Sequence, residues 1–160
     1  MTAPAPAPAV VAALEAAGLS YRVLVHTAPV HSLAEAAAAR GVEVVDVVKT
    51  LVVRRGADDY LFVLVPGGRA ISWPKLRALL AVSRMSMPPA AEAFEATGFE
   101  RGTITPFGSR TAWPVVADLV VAERSEITLG SGTHEVAIAV DAHALLEATA
   151  ATIADVTEPE

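Results

Sequence analysis

Strand-like and helix-like segments are mixed along this chain and do not follow a strict βαβ repeat. Runs of alternating or continuous apolar residues predict strands at 21–25, 47–54, 60–65, 115–122, 126–129 and 135–140. Helical spacing and capping residues predict helices at 10–17, 33–40, 73–80, 89–96 and 142–149. This order predicts an α+β (mixed α/β) fold, with a barrel-like, mostly antiparallel sheet flanked by helices.

The clearest helix signal lies at 32–41. Ser32 offers a hydroxyl to the first helical N–H groups, and Glu35, three residues on, completes a capping-box pattern. Gly41 follows the last helical residue, where a left-handed conformation favours glycine. The connection 55–59 contains the Gly and Asp residues typical of a hairpin turn.

The length of 160 residues and the apolar content of 53% favour one compact domain, because a chain of about 150 residues buries roughly two-thirds of its unfolded surface. The first eight residues alternate Ala and Pro, which is typical of a disordered or polyproline-like tail. We therefore predict a tail at 1–8 and a single domain at 9–160. No signal peptide or membrane-length apolar run is evident, so we expect a soluble, cytoplasmic protein without a membrane partner.

The composition excludes several chemistries. The chain has no cysteine, which removes disulfides, thiolate nucleophiles and Cys-ligated metals. Its formal charge of −6 argues against a broad phosphate-tracking surface but allows a small contact with one end of an RNA. The four histidines lack HxxxH or HExxH spacing, and no GxSxG elbow is present, so we expect neither a metal site nor a serine triad.

Lys49 is one of only two lysines beside ten arginines. Period two places Lys49, Leu51 and Val53 on one face of a strand. If that face lines a pocket, partial desolvation would prepare the ammonium to bind a carbonyl or phosphate. The alternative is a strand-end lysine whose stem covers apolar surface while its head reaches water. Spacing alone leaves both open.

Two loops are rich in glycine. The segment 98–108 holds three glycines and a proline, and it could bring backbone N–H groups close to a ribose, a phosphate or a base. Most loops of this composition are only turns. The segment 130–134 joins two predicted strands and is most simply a hairpin connection.

Taken in order, these segments resemble the YbaK family, relatives of the editing domain inserted in bacterial prolyl-tRNA synthetases. The resemblance rests on a strand ending in His26, the SLAEAAAARG helix, the VVKTLVV strand, the TGFERGTITPFG loop and the late GSG hairpin. The KTLV strand together with the GxxxP pattern at 102–106 is its most specific part.

The resemblance implies an aminoacyl-tRNA deacylase that needs no metal and no cofactor. Lys49 falls on the family's functional lysine and is the implied catalytic residue. The implied substrate-binding residues are Gly98, Gly102, Thr103, Pro106, Gly108, Gly130, Ser131, Gly132, His134 and His26. In relatives the substrate assists the attack, through the tRNA's own hydroxyl or, for cysteinyl esters, through the substrate thiol.

The implied partner is the acceptor end of a mischarged tRNA, of the Cys-tRNA(Pro) type or carrying another small amino acid, and an aminoacyl-tRNA synthetase is a further candidate partner. Alanine-removing relatives tend to have Asn after the lysine, where this chain has Thr50. The alternative function is a non-catalytic module that binds aminoacyl-tRNA 3′ ends or a synthetase. The sequence predicts neither the amino acid removed nor the oligomeric state.

Overall fold

The computed structural model describes residues 3–160. The helices are α1 (Pro8–Ala16), α2 (Leu33–Arg40), α3 (Trp73–Leu80), α4 (Ala90–Thr97), α5 (Leu119–Ala122) and α6 (Ala142–Ala148). The strands are β1 (Tyr21–Val25), β2 (Lys49–Gly56), β3 (Asp59–Val65), β4 (Arg69–Ile71), β5 (Val115–Asp118), β6 (Glu126–Gly130), β7 (Val136–Asp141), β8 (Thr152–Ala154) and β9 (Thr157–Pro159). In this part of the chain, none of the helices is long and apolar enough to cross a membrane.

The strands form one central sheet and two smaller ones. The central sheet has the order β2-β3-β5-β8. Its β2–β3 hairpin is antiparallel, with Lys49 opposite Val65, whereas β5 joins β3 and β8 joins β5 in parallel. The second sheet, β1-β7-β6, is antiparallel throughout, and β4 and β9 form a separate antiparallel pair.

The central sheet is covered on both faces, because β3 is apolar on both sides. Phe62 and Leu64 face one core, which includes residues of the second sheet, α1 and α6. Leu61 and Val63 face the other core, with Leu76 of α3. A strand buried on both faces has a continuous apolar sequence, and this explains the run that predicted β3.

The capping signals of α2 are confirmed. The Ser32 hydroxyl accepts a hydrogen bond from the Glu35 N–H at 3.1 Å. The Glu35 carboxylate accepts one from the His31 N–H at 2.7 Å, one residue before the cap position of the usual capping box. Gly41 ends the helix with φ of 70°.

The predicted strand at 115–122 is wrong in its second half. Strand β5 ends at Asp118, and α5 begins at the next residue. The buried Asp118 carboxylate accepts hydrogen bonds from Val120 N–H at 3.0 Å and from Val156 N–H at 3.1 Å. A carboxylate that caps a helix N-terminus in this way ends the strand and begins the helix within an unbroken apolar sequence.

The mixed α+β class is confirmed, and four of the six strand pairings are antiparallel. The sheets are not closed into a barrel. Within residues 3–160, the residues just before β2 meet the second sheet at one isolated bridge between Val47 and Thr128, where Val48 N–H donates to the Thr128 carbonyl at 2.8 Å. Beyond this bridge the two sheets separate, because the edge of β2 faces a cavity that lies between them.

The last residues of the predicted tail at 1–8 contact the folded domain. Residues 1 and 2 lie outside the described residues. Pro6 is buried, Ala7 N–H donates to the Ser131 carbonyl at 3.0 Å, and Pro8 begins α1, where proline fits the first turn. Residues 6–8 therefore pack against the hairpin rather than project freely, while the division into a tail and one domain stays a prediction.

Candidate active site

A cavity of about 620 Å³ lies between β2, α2 and the two glycine-rich loops. We call it the central pocket. Five of the residues predicted for the site line it: His26, Lys49, Gly102, Gly130 and His134. They come from β2, from the end of β1 and from both loops, so the fold brings together segments that are far apart in the sequence.

Lys49 lies at the start of β2, with 46% of its side chain exposed. Its ammonium lies 3.7 Å from a carboxylate oxygen of Glu160, which is also half exposed. Leu51, on the same face of the strand, packs against the core around Leu76 and also lines the central pocket. Lys49 thus lines the pocket, as the first interpretation requires, and is also half exposed to water, as the second requires.

The outer edge of β2 lines the central pocket between two backbone contacts. Val48 N–H donates to Thr128 at one end, and Arg54 N–H donates to the Ser86 carbonyl at 2.8 Å at the other. Alternation along the strand directs the N–H and C=O groups of Thr50 and Val52 to the same edge. Within residues 3–160 these groups have no hydrogen-bond partner across the edge. The pocket therefore offers backbone donors and acceptors to a ligand.

Thr50 adds a polar side chain to this edge. Only 8% of the residue is exposed, and its hydroxyl has no hydrogen-bond partner in the described part of the chain. A buried hydroxyl without a partner costs free energy unless a ligand or water satisfies it. Thr50 lines the central pocket, while its hydroxyl oxygen itself is enclosed by the protein.

The two glycine-rich loops pack directly against each other. Gly132 N–H donates to the Thr103 carbonyl at 2.9 Å. A Cβ on Gly130 would lie 2.5 Å from the Ile104 carbonyl oxygen, so the close approach of the two backbones requires glycine there. Gly102 has φ of 91° and open space where a Cβ would project. The loops therefore form one wall, with Gly102 presenting bare backbone.

The other predicted loop residues lie outside the lining of the central pocket and support its wall. Gly98 ends α4 with φ of 85°, and Gly108 passes so close to α1 that a Cβ would lie 2.6 Å from the Ala9 backbone. The Ser131 hydroxyl donates to the Val136 carbonyl at 2.7 Å. Six residues belong to this supporting group: Gly98, Thr103, Pro106, Gly108, Ser131 and Gly132.

His134 lies on the exposed side of the loop wall. Its Nε2 is 2.8 Å from a carboxylate oxygen of Glu100, and both side chains are largely exposed. This contact links the hairpin loop to the loop after α4. His134 is therefore placed to close the rim of the pocket.

His26 and Arg40 form a partly buried pair in the pocket wall. Arg40 Nε donates to His26 Nε2 at 3.2 Å, and Arg40 Nη1 donates to the Thr128 hydroxyl at 2.9 Å. Burial lowers the pKa of His26, and the Arg40 charge lowers it further, while Glu135 acts in the opposite direction. Burial also lowers the pKa of Arg40. His26 is thus held neutral, with Nε2 as the acceptor.

The charge of the pocket differs in sign from that of the chain. Its lining includes Arg40, Lys49 and Arg101 but only one carboxylate, Glu135, whereas the whole chain has a formal charge of −6. Among the residues that the structure describes, no three His, Asp or Glu side chains cluster as potential metal ligands. The arrangement can bind an anionic ligand that also carries polar groups.

Sequence reasoning missed Arg40 as a site residue and assigned no binding role to Thr50. Arg40 is the last residue of α2, and a basic residue there is also expected from helix capping alone. The one sequence signal that could have identified Thr50 as a site residue is its position directly after Lys49. Both depend on contacts with other elements, which no local pattern encodes.

The fold and the pocket define a small mixed α+β domain in which the central pocket combines a lysine, bare loop backbone and an unpaired strand edge. A model of the aminoacyl-tRNA editing domain family matches residues 27–148. The chain therefore belongs to the aminoacyl-tRNA editing domain family. The predicted family is confirmed, and membership of it supports the predicted enzyme class, an aminoacyl-tRNA deacylase.

Similar proteins fall into two groups. The proline–tRNA ligase of Thermosipho melanesiensis is 37% identical over 97 residues, and that of Trichlorobacter lovleyi is 29% identical over 115 residues. These matches cover 61% and 72% of this chain but only 17% and 20% of the ligases. The chain thus spans about a fifth of the length of these relatives.

Two similar solved structures match over nearly the full length of both chains. A proposed trans-editing enzyme for prolyl tRNA synthetase is 28% identical, with a TM-score of 0.86 and coverage of 96% of this chain and 99% of that one. The hypothetical protein APE2540 is 30% identical, with a TM-score of 0.82 and coverage of 91% and 96%.

Proposed function

We propose that this chain is a trans-editing deacylase that hydrolyses the ester between a wrongly attached small amino acid and the 3′ end of a tRNA. The observation that carries the proposal is the convergence of Lys49, Gly102 and Gly130 on one pocket. The likeness to a proposed trans-editing enzyme over nearly the full length of both chains supports action in trans. The likeness to proline–tRNA ligases supports tRNA(Pro) as the carrier and a synthetase as a partner. A role in translation supports a cytoplasmic location.

In the proposed reaction, water attacks the ester carbonyl, and the bond between that carbon and the ribose oxygen breaks. The ribose oxygen takes up a proton that comes from the attacking water and leaves as a hydroxyl, and the free amino acid is released. Lys49 and backbone N–H groups near Gly102 stabilise the negative charge that develops on the carbonyl oxygen. A hydroxyl of the terminal ribose positions the water, so the chain needs no nucleophile and no metal of its own. For a cysteinyl ester, the substrate thiol attacks its own ester carbonyl instead; the same carbon–oxygen bond breaks, the ribose oxygen takes the thiol proton, and a cyclic thioester is released.

The edge of β2 is proposed to hold the aminoacyl group. The outward backbone groups of Thr50 and Val52 can bind the α-ammonium or a polar side chain. Apolar neighbours in the lining, such as Val48 and Met87, limit the size of that side chain. The loop wall around Gly102 holds the terminal adenosine. The supporting residues Gly98, Thr103, Pro106, Gly108, Ser131 and Gly132 fix the shape of that wall.

The experiment that tests this proposal is a deacylation assay across a panel of mischarged tRNAs. We expect rapid release of one or a few small amino acids from tRNA(Pro) and slow release of proline from the same tRNA. Binding of the charged tRNAs without release from any of them would favour the non-catalytic alternative, a module that binds aminoacyl-tRNA ends.

A further inference from the structure

Arg40 is a cation in the wall of the central pocket that has no carboxylate partner among residues 3–160. Its two hydrogen bonds go to His26 Nε2 and to the Thr128 hydroxyl. Both acceptors are uncharged, since a ring nitrogen that accepts a hydrogen bond carries no proton. A guanidinium has N–H groups on three nitrogens, and Nη2 of Arg40 has no acceptor within the described chain.

A partly buried cation without a counter-ion is costly to maintain. The arrangement nonetheless holds Arg40 in one place, between the end of β1 and β6, through two neutral acceptors. This leaves its full positive charge and its free donors for a ligand. The lining of the central pocket also contains more cations than carboxylates, which further favours a negatively charged ligand.

The chemistry of an aminoacyl-tRNA end identifies the anion. The carboxyl group of the amino acid is consumed in the ester, and its α-amino group is a cation. The phosphates of the nucleotide chain remain as negative groups, and a planar guanidinium suits them well. On the basis of the proposed function, we propose that Arg40 binds a phosphate of the 3′-terminal nucleotide, with His26 and Thr128 as its positioning residues.

The test measures binding of two non-hydrolysable probes by calorimetry. Both are amide analogues of alanyl-adenosine, one with a 5′-phosphate and one without. Wild-type protein should bind the phosphorylated probe about tenfold more tightly, as a charge-assisted contact predicts. Arg40→Gln should reduce this preference to less than about twofold and leave the affinity for the unphosphorylated probe unchanged.

Arg22→Gln is the matched control, because Arg22 is an exposed arginine paired with Glu126 outside the pocket. It should keep the wild-type preference. Arg40→Lys retains the charge, so it keeps the test valid if Arg40→Gln fails to fold. Its preference for the phosphorylated probe should lie between those of the wild type and Arg40→Gln. Melting temperatures of all variants check the fold.

The proposal is overturned if Arg40→Gln keeps the preference for the phosphorylated probe, or if it weakens both probes equally. A third probe, an unphosphorylated glutamyl-adenosine amide, carries a side-chain carboxylate in place of the phosphate. The proposal is also overturned if Arg40→Gln weakens binding of this probe and not binding of the phosphorylated one. Hydrolysis is measured separately. A wild-type protein that shows the Arg40-dependent preference but hydrolyses no ester would contradict the proposed deacylase and leave the phosphate site standing.

Discussion

Lys49 and Lys75 are the two lysines of the chain, and they provide a matched pair of variants. Their side chains are 46% and 43% exposed, and each contacts one carboxylate, from Glu160 and Asp155 respectively. Lys49→Ala should lower the single-turnover deacylation rate by about a hundredfold or more, because it removes a group that stabilises the developing oxyanion. Lys75→Ala should leave the rate unchanged.

Both lysine variants should lose less than about 1 kcal/mol of unfolding free energy, since exposed ion pairs contribute little. Chemical denaturation measures this loss. Equal rates for the two variants would remove Lys49 from the site.

Gly102 and Gly18 form a second matched pair. Both have positive φ, 91° and 70°, and neither has an atom within 4 Å of an added Cβ. Alanine at either position should cost about 1–2 kcal/mol through backbone strain. Only Gly102→Ala should also weaken binding of an aminoacyl-adenosine analogue, because its methyl group would project from the pocket wall. A Gly102→Ala variant with normal binding would show that the loop is purely structural.

The environment of His26 predicts a dependence of stability on pH. Its pKa in the folded state is lowered from 6.5 by burial and by Arg40, while Glu135 partly opposes this. The unfolded chain therefore takes up the proton first as the pH falls. The free energy of unfolding should decrease from about pH 6.5 down to the lower folded pKa.

His26→Gln should remove this part of the pH dependence. His143→Gln, at an exposed position of α6, should retain it. Urea titrations between about pH 5 and pH 8 would measure the difference, because this range includes the reference pKa of histidine, about 6.5. A pH profile unchanged by His26→Gln would contradict the neutral, acceptor role of this side chain.

At the residue scale, the sequence could nominate Lys49 and Gly102 as candidate site residues, but it could not predict which residues surround them. Lysine is rare in this chain, and glycine clusters are visible by inspection. Arg40 is held in the pocket wall by its hydrogen bond to Thr128. Thr50 lines the pocket because the edge of β2 faces the space between the two sheets. Such contacts join residues about 80 or more positions apart, which local patterns do not encode.

At the scale of elements, Asp118 joins three of them. It ends β5, caps α5 and accepts a hydrogen bond from Val156 between β8 and β9. Asp118→Ala should cost about 3 kcal/mol, because one buried and one partly buried N–H group lose a carboxylate acceptor. Asp141→Ala, which removes one cap contact at the exposed residue that precedes α6, should cost about 1 kcal/mol.

Thermal or urea unfolding of the two variants tests this order. Neither variant should change the deacylation rate well below its melting temperature, since both residues lie outside the central pocket. Equal losses of stability would mean that the contact with Val156 contributes nothing.

The sequence predicted the longer elements well and missed the short ones. The caps of α2 and the continuous apolar run of β3 are local signals, and both elements were predicted. Strands β4, β8 and β9 have three residues each and were not predicted. They are strands because they pair with distant segments, as β9 does with β4. The split at Asp118 was missed because the apolar residues continue on both sides of it.

At the scale of the whole molecule, the site exists because the sheets do not close. A barrel would pair the outer edge of β2 along its length and fill the space that the central pocket occupies. Instead, contacts at Val48 and at Arg54 leave the middle of the edge open. The mixed class could be predicted from the order of elements, whereas the open edge depends on long-range packing.

The proposed reaction needs neither a metal nor a protein nucleophile in the central pocket. Single-turnover release of the amino acid from a mischarged minihelix, which needs little magnesium to fold, tests this with protein treated with EDTA. We expect release far above the uncatalysed rate, unchanged by EDTA and lost in Lys49→Ala. Release that stops with EDTA and returns with added zinc or magnesium, or that persists in Lys49→Ala, would contradict it.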